Sequence, residues 1–379
     1  ILFLTDNFPP EFNAPATRTY EHCKEWVKLG VDVTVITCAP NFPEGKTFAG
    51  YKNKLYQKEI IDGIKVIRVW TYISANQGFF KRTVDYLSYM LSSFCVGLFV
   101  KTDVIIATSP QFFTAISGRW LSFWKRKKWI MEIRDIWPES IKAVGAMKTG
   151  LVITFFEYLE KRMYQSAWKI VTVTDSFKEQ LINKHRIASK KIEVVKNGAN
   201  LDMFTPQPKN LELIEKLSLQ NKFIIGYIGT HGMAHRLDFI LNCAKELNKK
   251  EVHFLFLGTG AEKQNLLNQK NKMELINVTM LDPVKKALVK DYISILDVGL
   301  VNLKKSETFK SVIPSKIFEL IAMNKPILLG VEGESKKLIE EYGVGEVFEP
   351  ENKIQFIDAI TTIRENIDRY EGNYKKMLH

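Results

Sequence analysis

The sequence predicts an α/β protein of two domains, each built on a parallel sheet with helices on both faces. Short apolar segments typical of buried strands alternate with amphipathic helical segments along almost the whole chain, an order that favours parallel sheets. The length of 379 residues is enough for two domains with full cores. A Pro-Gln-Pro sequence at residues 206–208 is a linker signal that divides the pattern into two halves.

The first half opens on an apolar strand, predicted at residues 1–5, and a loop at residues 6–15. This loop is longer than the few residues that usually join a strand to a helix. Because open parallel sheets bind ligands outside the carboxyl ends of their strands, the loop is a candidate binding element. It lacks G-x-G-x-x-G, so a dinucleotide is not indicated. Further strands are predicted at residues 31–37, 63–70, 103–108, 129–135, 169–174 and 192–196, and a loop at 40–58.

The second half repeats the alternation of strand and helix. Strands are predicted at residues 223–229, 252–258, 278–281, 298–303, 327–330 and 345–348. We therefore place the domains at residues 1–205 and 206–364, with a last helix, about 365–379, left free to pack back on the first domain. A cleft between two such lobes is a natural place for a ligand.

The net charge and the positions of the cysteines and histidines indicate which classes of partner and of metal site are expected. The net charge of +12, from 54 basic and 42 acidic residues, suggests an anionic partner such as nucleic acid, a phosphorylated substrate or an acidic membrane surface. No nucleic-acid motif accompanies the basic residues, so nucleic acid is not favoured. The four cysteines fit a reducing compartment, and neither they nor the six histidines show metal-ligand spacing. No metal site is predicted.

Two segments mix aromatic, apolar and basic residues. The segment Val84–Val100 is marginal in length for a membrane span, and it reads equally as a buried helix. The segment Trp120–Trp129 combines tryptophan and phenylalanine with a run of lysine and arginine, which is typical of contact with a membrane surface. A solvated charge run is the alternative for this second segment, but together the two favour membrane contact.

The segment Phe309–Leu328 carries the main chemical signal. Pro314 and Ser315 precede a predicted helix, with Ser315 as its N-cap, and Lys316 and Glu319 share a helix face. A lysine at a helix N-terminus suits a phosphate group, and a glutamate one turn later can accept hydrogen bonds from hydroxyls. A phosphate beside a polyol indicates a nucleotide sugar. The alternative for Glu319 is a surface carboxylate paired with Lys316.

Three segments in this order resemble the retaining glycosyltransferases of family 4, which have the GT-B fold, two Rossmann-like domains facing across a cleft. They are Leu4–Arg18, the turn Asn197–Phe204 and the helix region Pro314–Pro326. Two more segments, Glu132–Ser140 and Gly226–Gly232, resemble the WbuB-type N-acetyl-L-fucosaminyltransferases of bacterial O-antigen and capsule synthesis. The resemblance covers nearly the whole chain.

The resemblance implies transfer of a sugar, such as a HexNAc or a deoxy-HexNAc like L-FucNAc, from a UDP-sugar to a polyprenyl-diphosphate-linked saccharide. It implies no metal or other cofactor, and a cytoplasmic enzyme lying peripherally on the inner face of the cell membrane. Two other functions stay open. One is a non-hydrolysing UDP-sugar 2-epimerase, which shares the two-lobe fold, and the other is a non-enzymatic two-lobed sugar-binding protein.

The resemblance also implies roles for individual residues. Catalytic roles fall to Arg134, Asp135, Lys316 and Glu319; donor binding to Gly229, Thr230, His231, Arg236, Gly258, Gly260, Leu281, Lys310, Ser311 and Ser315; and acceptor binding to Asn13, Ala14, Arg18 and Glu139. Structural alternatives remain for several of these. Arg134 and Asp135 can form an ion pair, Asn13 can cap a helix, and the glycines at 258 and 260 can mark a simple turn.

Two departures from the family pattern affect the donor site. The family usually carries two glutamates eight positions apart, but Ser311 stands where the first is expected before Glu319. The usual arginine and lysine after the first strand of the second domain are also altered, since Thr230 follows Gly229 and the first arginine or lysine is Arg236. We assign the leaving diphosphate to Lys316, with Lys310 and Arg236 as the alternatives.

Overall fold

The computed structural model describes residues 1–11, 13–42, 44–74, 79–109, 112–136, 150–247, 251–370 and 372–378. The chain forms two compact units, Ile1–Lys196 and Asn197–His379. The division falls in the turn that begins at Asn197, before the Pro-Gln-Pro sequence at which the domain boundary was expected. The final helix belongs to the second unit, because the side chain of Tyr374 is buried in the core of that unit.

The N-terminal unit contains an eight-stranded sheet in the order β3-β4-β2-β1-β5-β6-β7-β8. The strands are β1 (Leu2–Leu4), β2 (Thr34–Cys38), β3 (Tyr56–Ile61), β4 (Ile64–Val69), β5 (Val104–Thr108), β6 (Lys128–Ile133), β7 (Lys169–Thr172) and β8 (Ile192–Val194). Neighbouring strands pair in parallel, except that β3 runs antiparallel to β4 at the edge. The order reverses at β1, so the loops after β1 and β5 border the ligand-binding crevice typical of such sheets.

The edge strand β3 corrects the sequence analysis, which placed a loop over residues 40–58 and a purely parallel sheet here. The strand is joined to β4 by a two-residue turn, in which Asp62 has φ 47° and Gly63 has φ 82°. An aspartate followed by glycine, both with positive φ, is a common signal for a tight hairpin. The signal is present in the sequence, but β3 buries neither face fully, so its apolar pattern is weak.

The helices of this unit are α1 (Ala14–Lys28), α2 (Phe79–Gly97), α3 (Phe112–Lys125), α4 (Leu151–Ser166) and α5 (Asp175–His185). Helix α2 covers most of the segment Val84–Val100, for which the sequence allows either a membrane element or a buried helix. It packs on the sheet, where buried Tyr89 donates to the carbonyls of Thr5 and Ile36 at 2.8 and 2.7 Å. No helix among the described residues is long and apolar enough to cross a membrane.

The C-terminal unit contains a six-stranded sheet in the order β11-β10-β9-β12-β13-β14, with all neighbours parallel. The strands are β9 (Phe223–Ile228), β10 (Val252–Leu257), β11 (Val278–Leu281), β12 (Val298–Asn302), β13 (Ile327–Gly330) and β14 (Gly345–Val347). This is the Rossmann strand order, which reverses between β9 and β12. The loops that follow these two strands therefore border the expected ligand crevice.

Helices cover both faces of the second sheet. They are α6 (Leu211–Lys216), α7 (Leu237–Glu246), α8 (Lys263–Lys272), α9 (Lys286–Ser294), α10 (Lys316–Ala322), α11 (Glu334–Tyr342), α12 (Lys353–Glu365) and α13 (Tyr374–Leu378). The short helix α10 is largely buried, with Ile317 and Ile321 fully inside the core. This burial fixes the orientation of α10, and with it the side chains at its start.

Candidate functional site

Two glycine-containing loops meet at the carboxyl ends of β9 and β10. The N–H of Gly229 donates to the carbonyl of Leu257 at 2.9 Å, and the N–H of His231 donates to that of Thr259 at 2.9 Å. A Cβ on Gly258 would lie 1.9 Å from the carbonyl oxygen of Gly229, and a Cβ on Gly260 would lie 2.4 Å from that of His231. Both glycines are therefore required by the close approach of the two loops, which is more than a simple turn needs.

Lys316 places a buried ammonium beside these loops. Its Nζ has no hydrogen-bond partner among the described residues and lies 3.6 Å from the ring centroid of Tyr227. A Cβ on Gly229 would lie 3.0 Å from this Nζ, so the absence of a side chain there leaves room for it. Burial lowers the pKa of Lys316 to about 7, although Glu319 opposes the shift. A desolvated cation without an acceptor is suited to bind an anion.

Ser315 does not cap α10 as the sequence analysis expected. The helix does begin at Lys316, but Ser315 is already helical, with φ −59° and ψ −27°, and its side chain makes no capping hydrogen bond. A capping side chain needs an extended backbone in order to reach back to the first free N–H groups. The anion-binding character of this region therefore depends on the ammonium of Lys316.

Glu319 pairs with Lys286 at the start of α9, and not with Lys316. The Lys286 ammonium also lies 4.8 Å from the ring centroid of Phe204. The ion pair uses Oε1 of Glu319, while Oε2 accepts from no described residue. Sequence reasoning missed Lys286, because the residue lies 33 positions before Glu319 and only the folded chain brings the two side chains together.

His231 is a second buried polar group without a partner. Its side chain is fully buried, and neither ring nitrogen has a hydrogen-bond partner among the described residues. Burial, together with the charges of Lys263 and Lys316, lowers its pKa to about 4. The ring is therefore neutral near pH 7, and its single N–H has no protein acceptor. A buried donor left in this state costs roughly 1–3 kcal/mol, and a bound anion would supply the missing acceptor.

Lys263, on α8, is a structural lysine that the sequence analysis missed. Its Nζ donates to the carbonyls of Gly258 at 2.8 Å and Leu281 at 2.5 Å, and to Asp282 Oδ1 at 3.0 Å. It thereby joins the loops after β10 and β11. Leu281, expected to contact the donor, lies at this junction with its carbonyl already engaged.

The two side chains that are alternatives to Lys316 for binding the diphosphate already have carboxylate partners. Arg236 lies 3.0 Å from Asp238 and 3.1 Å from Glu351, and Lys310 lies 2.7 Å from Glu307. Their charges are therefore largely compensated within the protein.

Two other residues predicted to bind the donor, Thr230 and Ser311, lie next to Gly229 and shortly before α10. Neither has a buried polar group without a partner. Thr230 is exposed, and its carbonyl accepts from the hydroxyl of Tyr227 at 2.8 Å. Ser311 ends the 3-10 turn Glu307–Ser311, which precedes α10.

The predicted acceptor residues of the first unit are engaged in structural contacts. Arg18 is buried, pairs with Glu132 at 3.0 Å and donates to the carbonyl of Val195 at 3.0 Å. Asn13 caps α1 by accepting from the N–H of Ala16 at 2.9 Å, which is the alternative noted for it, and Ala14 is the first residue of that helix. Glu139 lies outside the described residues.

Arg134 and Asp135 follow β6, and no ion pair joins them in the part of the chain that the structure describes. The hydroxyl of Ser109, after β5, accepts from the N–H of Arg134 at 2.7 Å. The Nε and Nη1 groups of Arg134 are buried without a hydrogen-bond partner among the described residues. Burial raises the pKa of Asp135 to about 6, with Arg134 opposing the shift. Arg134 therefore offers unpartnered N–H groups at the carboxyl end of its sheet.

Two further carboxyl groups lie in this electrostatic environment. Asp6, directly after β1, has a pKa raised by burial, with Arg134 opposing the shift. Burial and the charge of Asp6 raise the pKa of Asp85, on α2, to about 7. Neither residue has a role predicted from the sequence, although the position of Asp6 at the end of the first strand is a usable signal.

Two family models match the chain. The family described as Glycosyltransferase Family 4 matches residues 15–203, and the family described as Glycosyl transferases group 1 matches residues 222–366. Together the two matches span almost the whole chain. The chain belongs to the family 4 glycosyltransferases.

Two relatives of this glycosyltransferase have names that specify a process. A protein of Bacillus subtilis (strain 168), TuaH, named as a teichuronic acid biosynthesis glycosyltransferase, is 26% identical over 61% of the chain and 57% of its own length. A protein of Escherichia coli (strain K12), WcaI, named as a colanic acid biosynthesis glycosyl transferase, is 24% identical over 93% of the chain and 89% of its own length.

The solved structure of Anabaena Alr3699/HepE in complex with UDP and glucose is similar over 100% of the chain and 93% of its own length. The TM-score is 0.72 at 14% identity. This glycosyltransferase accordingly has the GT-B fold. At this level of identity the similarity identifies the fold and not the substrates.

Proposed function

We propose that this glycosyltransferase moves a sugar, with retention of configuration, from a UDP-sugar to a polyprenyl-diphosphate-linked saccharide in bacterial surface-polysaccharide synthesis. In this proposal the C-terminal unit binds the donor and the N-terminal unit binds the acceptor. The names of the relatives TuaH and WcaI, in teichuronic and colanic acid biosynthesis, support the process. The UDP bound to HepE supports the nucleotide.

The observation that carries the proposal is the buried ammonium of Lys316, which has no acceptor among the described residues. His231 adds an unpartnered N–H, and Gly229 provides space beside the Lys316 ammonium. A nucleoside diphosphate provides negatively charged oxygens that would satisfy these donors. Oε2 of Glu319 is available to accept from a ribose hydroxyl.

The proposed chemistry follows from where charge develops. As the bond between the anomeric carbon and the diphosphate breaks, negative charge grows on the leaving oxygens, and preplaced donors such as Lys316 stabilise it. The acceptor hydroxyl attacks from the same face and gives its proton to the leaving phosphate, so a pair of catalytic carboxylates is not needed. The proposal includes no metal, and a rate that falls on addition of EDTA would contradict that part of it.

The acceptor proposal depends on Arg134. Arg18, expected to bind the acceptor diphosphate, is already paired with Glu132, whereas Arg134 has two buried N–H groups without partners among the described residues. We assign the acceptor phosphate to Arg134. The carboxyl groups of Asp6 and Asp135 are suited to accept from sugar hydroxyls.

An exposed aromatic surface on the N-terminal unit supports membrane contact. Phe99, after α2, is 88% exposed, and Phe123 and Trp124, near the end of α3, are 77% and 68% exposed. The two helices are packed together, with the rings of Phe94 and Trp120 5.5 Å apart. Basic residues 125–128 follow directly, so apolar rings and positive charges occur together, as a surface of anionic lipids requires.

A donor screen tests the proposed reaction. UDP-HexNAc and deoxy-HexNAc sugars are offered with polyprenyl-diphosphate-GlcNAc, and the products are read by mass spectrometry. We expect an acceptor heavier by one sugar residue. Absence of transfer with every nucleotide sugar would refute the proposal, and epimerisation of a UDP-sugar in the absence of acceptor would support the 2-epimerase instead.

Vesicle sedimentation tests the membrane contact. Replacing Phe123 and Trp124 by serine should lower partitioning onto vesicles of anionic phospholipid by about tenfold or more, because two large rings no longer insert. The matched control replaces Ile276 and Ile354, which are 81% and 72% exposed on the C-terminal unit. Equal partitioning of the two variants would contradict the assignment of this surface.

A further inference from the structure

His235 is held in a turn that is fixed to the neighbouring strand. It ends the 3-10 turn Met233–His235, which follows the loop after β9. Its carbonyl accepts from Nδ2 of Asn302 at 2.9 Å, and the carbonyl of Ala234 accepts from the N–H of Lys304 at 2.7 Å. Asn302 and Lys304 lie at the end of β12 and just beyond it. The turn therefore bridges the two strands between which the sheet order reverses.

The hydrogen bond to Nδ1 determines the tautomer of His235. The N–H of Gly232 donates to Nδ1 at 3.4 Å, and a proton on Nδ1 would oppose that donor. Burial and the charge of Lys316 lower the pKa of His235 to about 3, so the ring is neutral and its proton lies on Nε2. No group in the described part of the chain accepts from this N–H.

The ring of His235 belongs to the surroundings of Lys316. Its centroid lies 5.9 Å from that of Tyr227, the same ring that the Lys316 ammonium contacts. The other polar groups here are His231, on the same loop, and Lys263, which faces His231 from α8. Glu319 is the carboxylate on α10, and Lys286 already neutralises it. The surroundings are thus rich in donors and poor in acceptors.

We propose that His235 is a phosphate-binding residue of the donor site, donating its Nε2–H to one oxygen of the donor diphosphate while Lys316 binds another. The inference rests on the proposed donor site and adds a residue to it. It also accounts for the altered sequence after β9, where the expected cationic pair is absent. Arg236 has carboxylate partners, and the neighbouring histidine supplies the second donor in its place.

Two substitutions distinguish the contributions of the two ring nitrogens of His235. In His235→Asn the side-chain oxygen can still accept from Gly232, but no donor remains at the Nε2 position. In His235→Gln the side-chain N–H reaches that position. Calorimetry with UDP should show affinity about tenfold or more lower for His235→Asn, because a hydrogen bond to a charged phosphate oxygen is lost. For His235→Gln the affinity should stay within about threefold of the wild type.

Uridine and a second histidine provide the controls. Uridine lacks phosphate, so its affinity should be the same in both His235 variants and the wild type. His253, buried in β10 with its Nε2 2.9 Å from Thr279 Oγ1, is the matched control, and His253→Gln should leave UDP affinity unchanged.

Two results overturn the assignment of His235. One is unchanged UDP affinity in His235→Asn, and the other is an equal loss for UDP and uridine, which a purely structural role would give. Failure of the wild type to bind any nucleoside diphosphate would instead refute the proposed function itself.

Discussion

The two units place polar side chains at the same edge of similar sheets, but the N-terminal unit combines the unpartnered N–H groups of Arg134 with buried carboxyl groups, whereas donors predominate in the C-terminal unit. At the carboxyl end of β9 the buried groups are donors, namely Lys316 and His231, and they lack acceptors among the described residues. In the N-terminal unit Arg18 is neutralised by Glu132, and the carboxyl groups of Asp6 and Asp135 have raised pKa values. Apart from the edge strands β3 and β8, the strands of the two sheets follow the same order, so the difference lies in which side chains follow the strands.

The difference separates residues that stabilise the protein from residues that await a ligand. A buried charge with a partner contributes to folding, and its loss leaves the partner uncompensated. A buried charge without a partner lowers stability until a ligand arrives. Arg18 belongs to the first kind and Lys316 to the second, and substitutions should distinguish them.

Substitution of Lys316 should have the largest effect. Lys316→Ala should lower kcat/KM for transfer by about 10³-fold, the scale expected for one preplaced donor at a developing charge. Lys316→Met should have the same effect, yet raise the free energy of unfolding by roughly 1–3 kcal/mol, because an unpartnered buried group is removed. Steady-state kinetics measures the loss of kcat/KM, and thermal denaturation measures the gain in stability. Near-normal turnover would move the phosphate role to Lys310 or Arg236.

Substitution of Arg18 should show the reverse pattern. Burial favours the neutral form of Glu132, but Arg18 and Arg134 outweigh it and keep its pKa low. Arg18→Met should therefore destabilise the N-terminal unit by about 3–5 kcal/mol. Lys28→Met, which breaks an exposed pair with Glu25 on the same helix, should cost less than about 1 kcal/mol. A folded, equally stable Arg18→Met protein with weakened acceptor binding would restore Arg18 to the acceptor site.

The fold was predictable because buried parallel strands are continuous apolar runs. All strands of the C-terminal unit were expected within a residue or two of their bounds. The missed strand, β3, is an edge strand whose side chains alternate between exposed and partly buried. This strand can be predicted from the turn residues Asp62 and Gly63, but not from its hydrophobic pattern.

The sequence predicts where the candidate site lies, but not which of its side chains are buried or hydrogen-bonded. Pro314 and Ser315 mark the start of α10, which brings Lys316 into consideration. That its ammonium is desolvated depends on Tyr227, on another element, and no local pattern encodes this contact. The sequence predicts no role for His235 for a similar reason, because the donor function proposed for it depends on a hydrogen bond from Gly232 that only the folded turn creates.

Donor affinity should depend on pH through Lys316. Without donor its pKa is lowered to about 7, and the bound diphosphate would raise it again. Below pH 7 the ammonium is already present, so Lys316 adds no further pH dependence to UDP affinity there. Above pH 7 binding takes up a proton, so affinity should fall by about tenfold per pH unit. Calorimetry from pH 6 to 9 measures this, and Lys316→Ala should remove the slope. A slope that survives in Lys316→Ala would point to another titrating group, because His231 and His235 stay neutral over this range.

Substitution of the two paired cations should have the smallest effect. Lys310→Ala and Arg236→Gly should each keep kcat/KM within about threefold of the wild type, since both charges are already compensated by carboxylates. Glycine is chosen at 236 because Arg236 has φ 44°, a left-handed conformation that glycine adopts without strain. A tenfold or larger loss in either variant would mean that its ion pair opens when the donor binds. The contrast between paired and unpaired cations would then fail as a guide to this site.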